Sequence, residues 1–385
     1  MVSNDQEAMD PRIVITVKNT DLWLKDGTII IRTVCKQETT TQVTLYKVHK
    51  FVLALHCSVF AALFSAGPQD AFQLGSEQYE NLPIMELTDV PDDVNSFLKA
   101  LYFPEETQIH LPKSRTARQD YSFPATYPGI LRLATKYDAP KIRNIIIRSL
   151  EMNWPTTPRA WETLQCQILE DVDHDFEDLG VSNVSKLYPD PVLAIRLATE
   201  FDLPHILPVA FYDLFRVLDS TPLDPPPGEL PQPFRVADIS ILTGEDLRIF
   251  TLGAARLRTA HSQALHDASH ISPLNTCERR FAWDTADPEP CARALSAWMR
   301  SPDDRPTVGT DPLGWLRRTI DDLESSPPEG VCDACVQSIQ DKLSLIMEKL
   351  WKSLPHIFVL NDAVAPDWGV ANDEPAYANA PPVLG

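Results

Sequence analysis

Between Thr44 and Ser65 the chain changes its hydrophobic period without a pause. Thr44, Tyr46 and Val48 alternate with Leu45, Lys47 and His49, the period of two that marks a strand. From Lys50 onward Phe51, Val52, Leu55, Val59, Phe60, Leu63 and Phe64 recur at spacings of three and four. That spacing predicts two short helices, with Ser58 placed where a hydroxyl can cap the second. Upstream, Arg12 to Val17 predicts a first strand, and Asp21 to Val34 predicts two strands joined as a hairpin at Asp26-Gly27. Downstream, Ile84 to Leu87 reads as a short strand. Asp89-Val-Pro-Asp-Asp opens a helix through Tyr102, with carboxylates at its positive N-terminal end.

An internal repeat follows. Leu133-Ala-Thr-Lys-Tyr-Asp-Ala-Pro-Lys-Ile142 recurs as Leu197-Ala-Thr-Glu-Phe-Asp-Leu-Pro-His-Ile206. Each copy reads as the end of one helix, a Pro-marked turn and the start of the next. A helical hairpin cannot bury its apolar face alone, so the two are expected to stack. Thr221 to Pro233 is a Pro-rich loop, residues 238 to 265 read as helix, and Pro-interrupted ground near 273 to 312 precedes two last helices at 313 to 324 and 333 to 353. Residues 1 to 11 and 361 to 385 lack periodicity and are expected to be disordered.

The motif His49-Lys50-x-x-Leu53-Ala54-x-x-x-Ser58-x-Phe60-x-x-x-Phe64 resembles the strand and helix pair at the centre of BTB/POZ domains. The stretches DLWLKDGTIII, FVLALHCSVFAALFS, LTDVPDDVNSFLKALYFP and ILRLATKYDAPKIRN are similar to the expanded BTB family of mushroom-forming fungi. This resemblance implies an α+β chain. Residues 12 to 155 would form a BTB/POZ domain, a small sheet covered by helices with a trailing helix pair. Residues 156 to 360 would form an all-α, BACK-like helical region.

Charge sharpens the division. The 385 residues carry a formal charge of −20. Residues 1 to 155 hold 16 Lys and Arg against 18 Asp and Glu, so nearly all of the excess acidity lies in the second part. Such a surface repels phosphates and speaks against direct nucleic-acid binding. Val52 to Phe64, the longest mostly apolar stretch, falls far short of the ~20 residues a bilayer requires, and the first residues show no secretory pattern. A cytoplasmic or nuclear protein is the expectation, with its seven cysteines as thiols or metal ligands in a reducing compartment.

Candidate chemistry is sparse. No phosphate-cradling Gly-rich loop and no G-x-S-x-G elbow occurs. Asp171-x-Asp173-x-Asp175 lacks the Gly and Glu of a calcium loop, with Phe176 and Ser182 in their places, and reads as a solvated acidic loop. His266-Asp267-x-x-His270 could present two imidazoles on one helix face, or could be a solvated face. Cys332-x-x-Cys335 at a helix start is the sharpest pair. With Cys277 and Cys291 it offers either a structural zinc site, as the one candidate cofactor, or ordinary half-buried thiols. Cys35, Cys57 and Cys166 read as packing residues.

The resemblance implies further that Asp21, His49 and Lys50 match the charged pocket of BTB domains, with Lys50 in place of the more frequent Arg; a plain pairing or capping role is the alternative. Phe51, Val52 and Leu55 complete a candidate partner-binding face. The expected function is non-enzymatic protein-protein interaction, as a homodimer or self-associating scaffold or as a substrate adaptor binding the cullin scaffold of a ubiquitin ligase. The rivals are a transcriptional cofactor and a zinc or thiol enzyme using Cys332, Cys335 and His266.

Overall fold

A computed structural model describes residues 13–65, 77–107, 124–179, 188–220, 235–269, 277, 290–300, 311–360, 363–365 and 368–369. These fall into two compact units, one running through Leu150 and the other from Glu151 onward. The expected disordered N-terminus, most of the loop after Pro104, the Pro-rich loop from Thr221 and the last sixteen residues lie outside the described residues.

The first unit is a five-stranded sheet with helices, and the sheet runs in the order β1-β3-β2-β5-β4. The strands are β1 (Ile13–Trp23), β2 (Ile29–Lys36), β3 (Thr40–Val48), β4 (Gln78–Tyr79) and β5 (Leu82–Leu87). β3 is antiparallel to β2 and parallel to β1, while β5 is parallel to β2. The Asp26-Gly27 turn therefore does not close a hairpin, as its sequence suggests. It carries the chain across β3, which lies between the two arms. Leu45, Tyr46 and Val48 of β3 are all buried, so this strand is apolar on both faces and belongs in the sheet interior. β1 exposes Ile13, Val14, Ile15 and Val17 and takes the edge. The turn still needs its glycine, because a Cβ on Gly27 would lie 2.6 Å from Lys47 Cγ. The expected first strand and the first arm of the hairpin merge into one long β1.

Helices α1 (Lys50–His56), α2 (Ser58–Ser65), α3 (Pro91–Tyr102), α4 (Tyr127–Lys136) and α5 (Pro140–Asn153) complete the unit, with the last turn of α5 passing into the second. Ile29, Ile31, Leu53, Val94, Phe97 and Ile130 are among its buried residues. The Ser58 hydroxyl does not cap α2. It donates to the Asp138 carboxylate, and the α2 backbone N–H groups of Ser58 and Val59 donate to the carbonyls of Asp138 and Tyr137 at 3.1 and 3.4 Å.

That contact depends on how α4 ends. Asp138 sits at φ +52°, the Ala139 N–H reaches the Ala134 carbonyl at 2.7 Å and the Asp138 N–H reaches Thr135. This is a Schellman-type end with aspartate at the left-handed position usually held by glycine. Tyr137 stacks on Phe60 at 4.6 Å, and its hydroxyl donates to Asp89, which also pairs with Lys136.

Among the described residues the second unit is all-α: α6 (Pro158–Leu179), α7 (Pro191–Glu200), α8 (Leu207–Ser220), α9 (Gly244–Ser269), α10 (Pro290–Arg300), α11 (Pro312–Ser325) and α12 (Asp333–Ile357). A short 3-10 turn, Pro204–Ile206, leads into α8. The second repeat copy reproduces the first: Asp202 has φ +56°, and the Leu203 N–H reaches the Ala198 carbonyl at 2.8 Å. Each copy buries its apolar face within its own unit, α4 against α3 and α7 against α8. Asp171, Asp173 and Asp175 belong to α6 and not to a loop, because the buried Trp161, Leu164 and Ile168 carry the helical period into that segment.

α8 is the central helix, buried from Leu207 to Phe215. Its Tyr212 hydroxyl donates to Asp311 at 2.6 Å and accepts the Leu313 N–H. Gly253 of α9 lies where any Cβ would strike the Phe358 ring, so the helix can approach that ring only without a side chain. Trp368 stacks on Trp351 and donates to the His205 carbonyl at 2.9 Å, so the packed structure extends past the expected limit at residue 360. No helix among the described residues is long and apolar enough to cross a membrane.

A buried charge network crosses this core. Arg235 makes two hydrogen bonds to Asp213 at 2.9 and 2.7 Å, and Arg216 bridges Asp213 and Asp311. Burial opposes ionisation of Asp213, but Arg235 and Arg216 outweigh it and hold the carboxyl below its usual range. Asp246 behaves similarly: against burial, Thr243 and Arg196 hold it low. Thr243 and Asp246 cap α9 reciprocally, each side chain accepting the other's backbone N–H.

A folded-state pKa below the unfolded value gives stability that is complete above the ordinary aspartate value, about 3.9, and is lost as pH falls below it. The thermal midpoint of the second unit should therefore fall as the pH drops below about 4, which calorimetry can scan. Asp213→Ala should cost about 3–5 kcal/mol at neutral pH, since it removes the carboxylate of Arg235 and leaves Arg216 with Asp311 as its remaining ion pair. In the first unit Tyr137→Phe should cost about 1–3 kcal/mol in chemical denaturation, since it removes the hydroxyl donor from Asp89.

Candidate functional site

Two groups of residues in the first unit reach the surface in positions that could meet a partner. In α1 Leu53 points inward and is fully buried, so residues on the opposite face turn outward. Phe51 is 73% exposed and Leu55 63%. They are four apart and lie together on that face. Val52 is half-buried beside them, and Val59, at the start of α2, adds a further exposed apolar side chain.

Next in sequence to this face stand the charged candidates. The Asn19 side chain accepts the N–H groups of Asp21 and Leu22 where the pairing of β1 is irregular, between Lys18 and Trp23. Asp21 is thereby turned toward α3, where its carboxylate accepts from Lys99 Nζ at 2.6 Å. That ammonium holds the Asp21 carboxyl below its usual range. His49 meets the same helix one turn further on: Tyr102 lies 3.2 Å from His49 Nδ1 and accepts the His49 backbone N–H at 2.8 Å. His49 Nε2 lies 3.1 Å from Asp26. Lys50 anchors its backbone N–H on Thr28 Oγ1 and places its ammonium over the Phe64 ring at 5.8 Å. Asp21 and His49 thus gather on the last turn of α3 through Lys99 and Tyr102, two residues the sequence alone did not single out.

The other missed surface is β1, an edge strand whose Ile13 and Val14 are 64% and 63% exposed on opposite faces. Its apolar alternation is visible in sequence, but its edge position depends on β3 entering the sheet interior.

In the second unit the structure brings Cys277, Cys291, Cys332 and Cys335 together. Their sulfurs all lie within 4.8 Å of one another, and all four residues are buried. Cys291 and Cys332 Sγ are 3.8 Å apart and Cys277 and Cys332 Sγ 4.0 Å apart. Cys291 lies in the first turn of α10, and Cys332 is the N-cap of α12. Gly330, at φ +83°, turns the chain into that cap. Burial, and then the neighbouring thiols, push the Cys335 thiol up. Such thiols are poor nucleophiles. His266 is not among the cluster's ligands, and His270 lies outside the described residues. Cys57 is buried at the end of α1 and burial pushes its thiol up to about 12; Cys35 is half-buried and Cys166 exposed.

Against known families, the BTB/POZ domain matches residues 36–153. Comparison with curated proteins and with solved structures gives no match. The matched segment runs from the end of β2 through α5, taking in α1, its exposed face and the contacts of the Tyr137 and Asp138 carbonyls with α2. The first unit therefore contains a BTB/POZ domain, a protein-protein interaction module, followed in the second by a helical region.

Lys99→Ala should release the Asp21 carboxyl toward its ordinary pKa, about 3.9, with little change in stability, since exposed ion pairs contribute little. NMR titration of the Asp21 side chain checks the shift.

Proposed function

We propose that the chain is a non-enzymatic interaction protein whose BTB/POZ domain binds a second copy of itself through the exposed face of α1. The carrying observation is that Phe51 and Leu55 stand outward on a helix whose Leu53, on the opposite side, is fully buried. Large apolar side chains grouped on a surface favour a protein partner. The edge strand β1, apolar on both faces, adds a second self-complementary element, since an unpaired strand edge invites another chain. Asp21, His49 and Lys50 border the contact and set its specificity through charge. The acidity of residues beyond 155 directs the protein toward protein partners and away from nucleic acid, in the cytoplasm or nucleus.

A finer reading makes the protein a substrate adaptor of a cullin-type ubiquitin ligase, and it is favoured by a helical unit that follows the BTB/POZ domain directly. The sequence motifs around DLWLKDGTIII and ILRLATKYDAPKIRN further suggest kinship with the expanded BTB family of mushroom-forming fungi.

Light scattering of the full chain should show a dimer. The double variant Phe51→Asp/Leu55→Asp should be monomeric with a thermal midpoint close to that of the parent, since surface changes away from packed groups cost within about 0.5 kcal/mol. A parent chain that stays monomeric at high concentration would defeat the self-association reading. Co-precipitation with a cullin N-terminal domain tests the adaptor reading separately.

A further inference from the structure

We propose that Cys277, Cys291, Cys332 and Cys335 bind one zinc ion as a closed tetrathiolate site that pins the chain at Cys277 to the first turns of α10 and α12.

The distances favour a single metal ion over the other states four cysteines can take. Zinc bound tetrahedrally to sulfur has bonds of about 2.3 Å, which places the sulfurs about 3.8 Å from one another. The separations of 3.8 and 4.0 Å, with every pair within 4.8 Å, lie at or slightly above that spacing. A disulfide requires about 2.05 Å. An iron-sulfur cluster would place irons and sulfides between the thiolates and hold them farther apart. Plain packing accounts for one buried thiol at a time, since thiols are weak hydrogen-bond partners with little to gain from each other. It gives no reason for four to meet from segments separated by 41 and 55 residues.

The surroundings suit the charge such a site carries. Four thiolates around a divalent cation leave a net charge of about −2. The Cys332 backbone N–H points at Cys291 Sγ at 3.4 Å. Cys291 stands at the start of an eleven-residue helix and Cys332 at the start of a twenty-five-residue one. Both helices thus begin at the cluster, and the positive end of a helix stabilises anionic ligands. The Cys335 N–H donates to the Cys332 carbonyl at 3.0 Å, a tight turn that keeps the C-x-x-C pair on one side. Four protein sulfurs fill a tetrahedral ion completely and leave no position for water or substrate, so the site is structural. It stands independently of the BTB/POZ reading.

The experiment uses the full chain purified under reducing conditions. Elemental analysis should find one zinc per chain, and cobalt(II) replacement should give the intense thiolate-to-metal charge-transfer bands of a tetrahedral sulfur site. Cys332→Ser and Cys291→Ser should lower bound zinc at least tenfold, while Cys166→Ser, at an exposed cysteine outside the cluster, should keep the full complement. Chelation should speed amide exchange in α10 and the first turns of α12 and leave residues 36–153 unchanged. Zinc at background in the parent chain, whether with four free thiols, with disulfides or with iron in its place, would overturn the assignment irrespective of how the variants fold.

Discussion

A helix can reverse its chain within three residues only if one of them accepts a left-handed backbone, and both repeat copies place an aspartate there. Asp138 and Asp202 each accept a positive φ and release the next N–H to the carbonyl five residues back. The proline two residues beyond then prevents the helix from continuing. In the first unit this reversal also completes the BTB/POZ core. The carbonyls of Tyr137 and Asp138 satisfy N–H groups that the start of α2 cannot bond internally, while the Tyr137 ring fills the space against Phe60 and Phe97. The exposed face of α1 rests on the same assembly, because α1 runs directly into α2 through the buried Cys57. A surface that meets a partner is thus held by a turn distant in sequence.

The second unit solves a different problem. Its helices carry many charges, and the buried ones are kept ionised by close pairing: Asp213 with two guanidinium groups, and Asp246 with Thr243 and Arg196. Such pairs contribute less to stability than an apolar core of equal volume, but breaking one is expensive, so they restrict the helices to one arrangement. Aromatic stacking does the remaining work, with Trp351 tilted against Trp161 and stacked on Trp368. The cysteine cluster adds a third kind of link, tying the starts of α10 and α12 to a segment that has no helix at Cys277.

Much of this was legible in the sequence, because the signals involved are local. The change of period at Lys50 marked the strand and the two helices after it, and the repeat marked both turns between helices through their prolines, though not the left-handed aspartates within them. The C-x-x-C pair, with two further cysteines upstream, marked the cluster by residue type alone. What sequence misread was governed by neighbours far along the chain. Asp26-Gly27 has the local chemistry of a hairpin turn, yet β3 is apolar on both faces and so occupies the position between β1 and β2. The acidic Asp171 to Asp175 segment reads locally as a solvated loop, yet it is helical because α6 is already packed through Trp161, Leu164 and Ile168. Ser58 has the hydroxyl of a cap, but the Asp138 carboxylate captures it. Local pattern therefore determined which elements exist, which cysteines and apolar residues stand out, and where the chain reverses. Tertiary structure alone decided which strand lies at the edge, which side of α1 faces outward and whether four thiols meet, since each depends on what packs against the element from elsewhere.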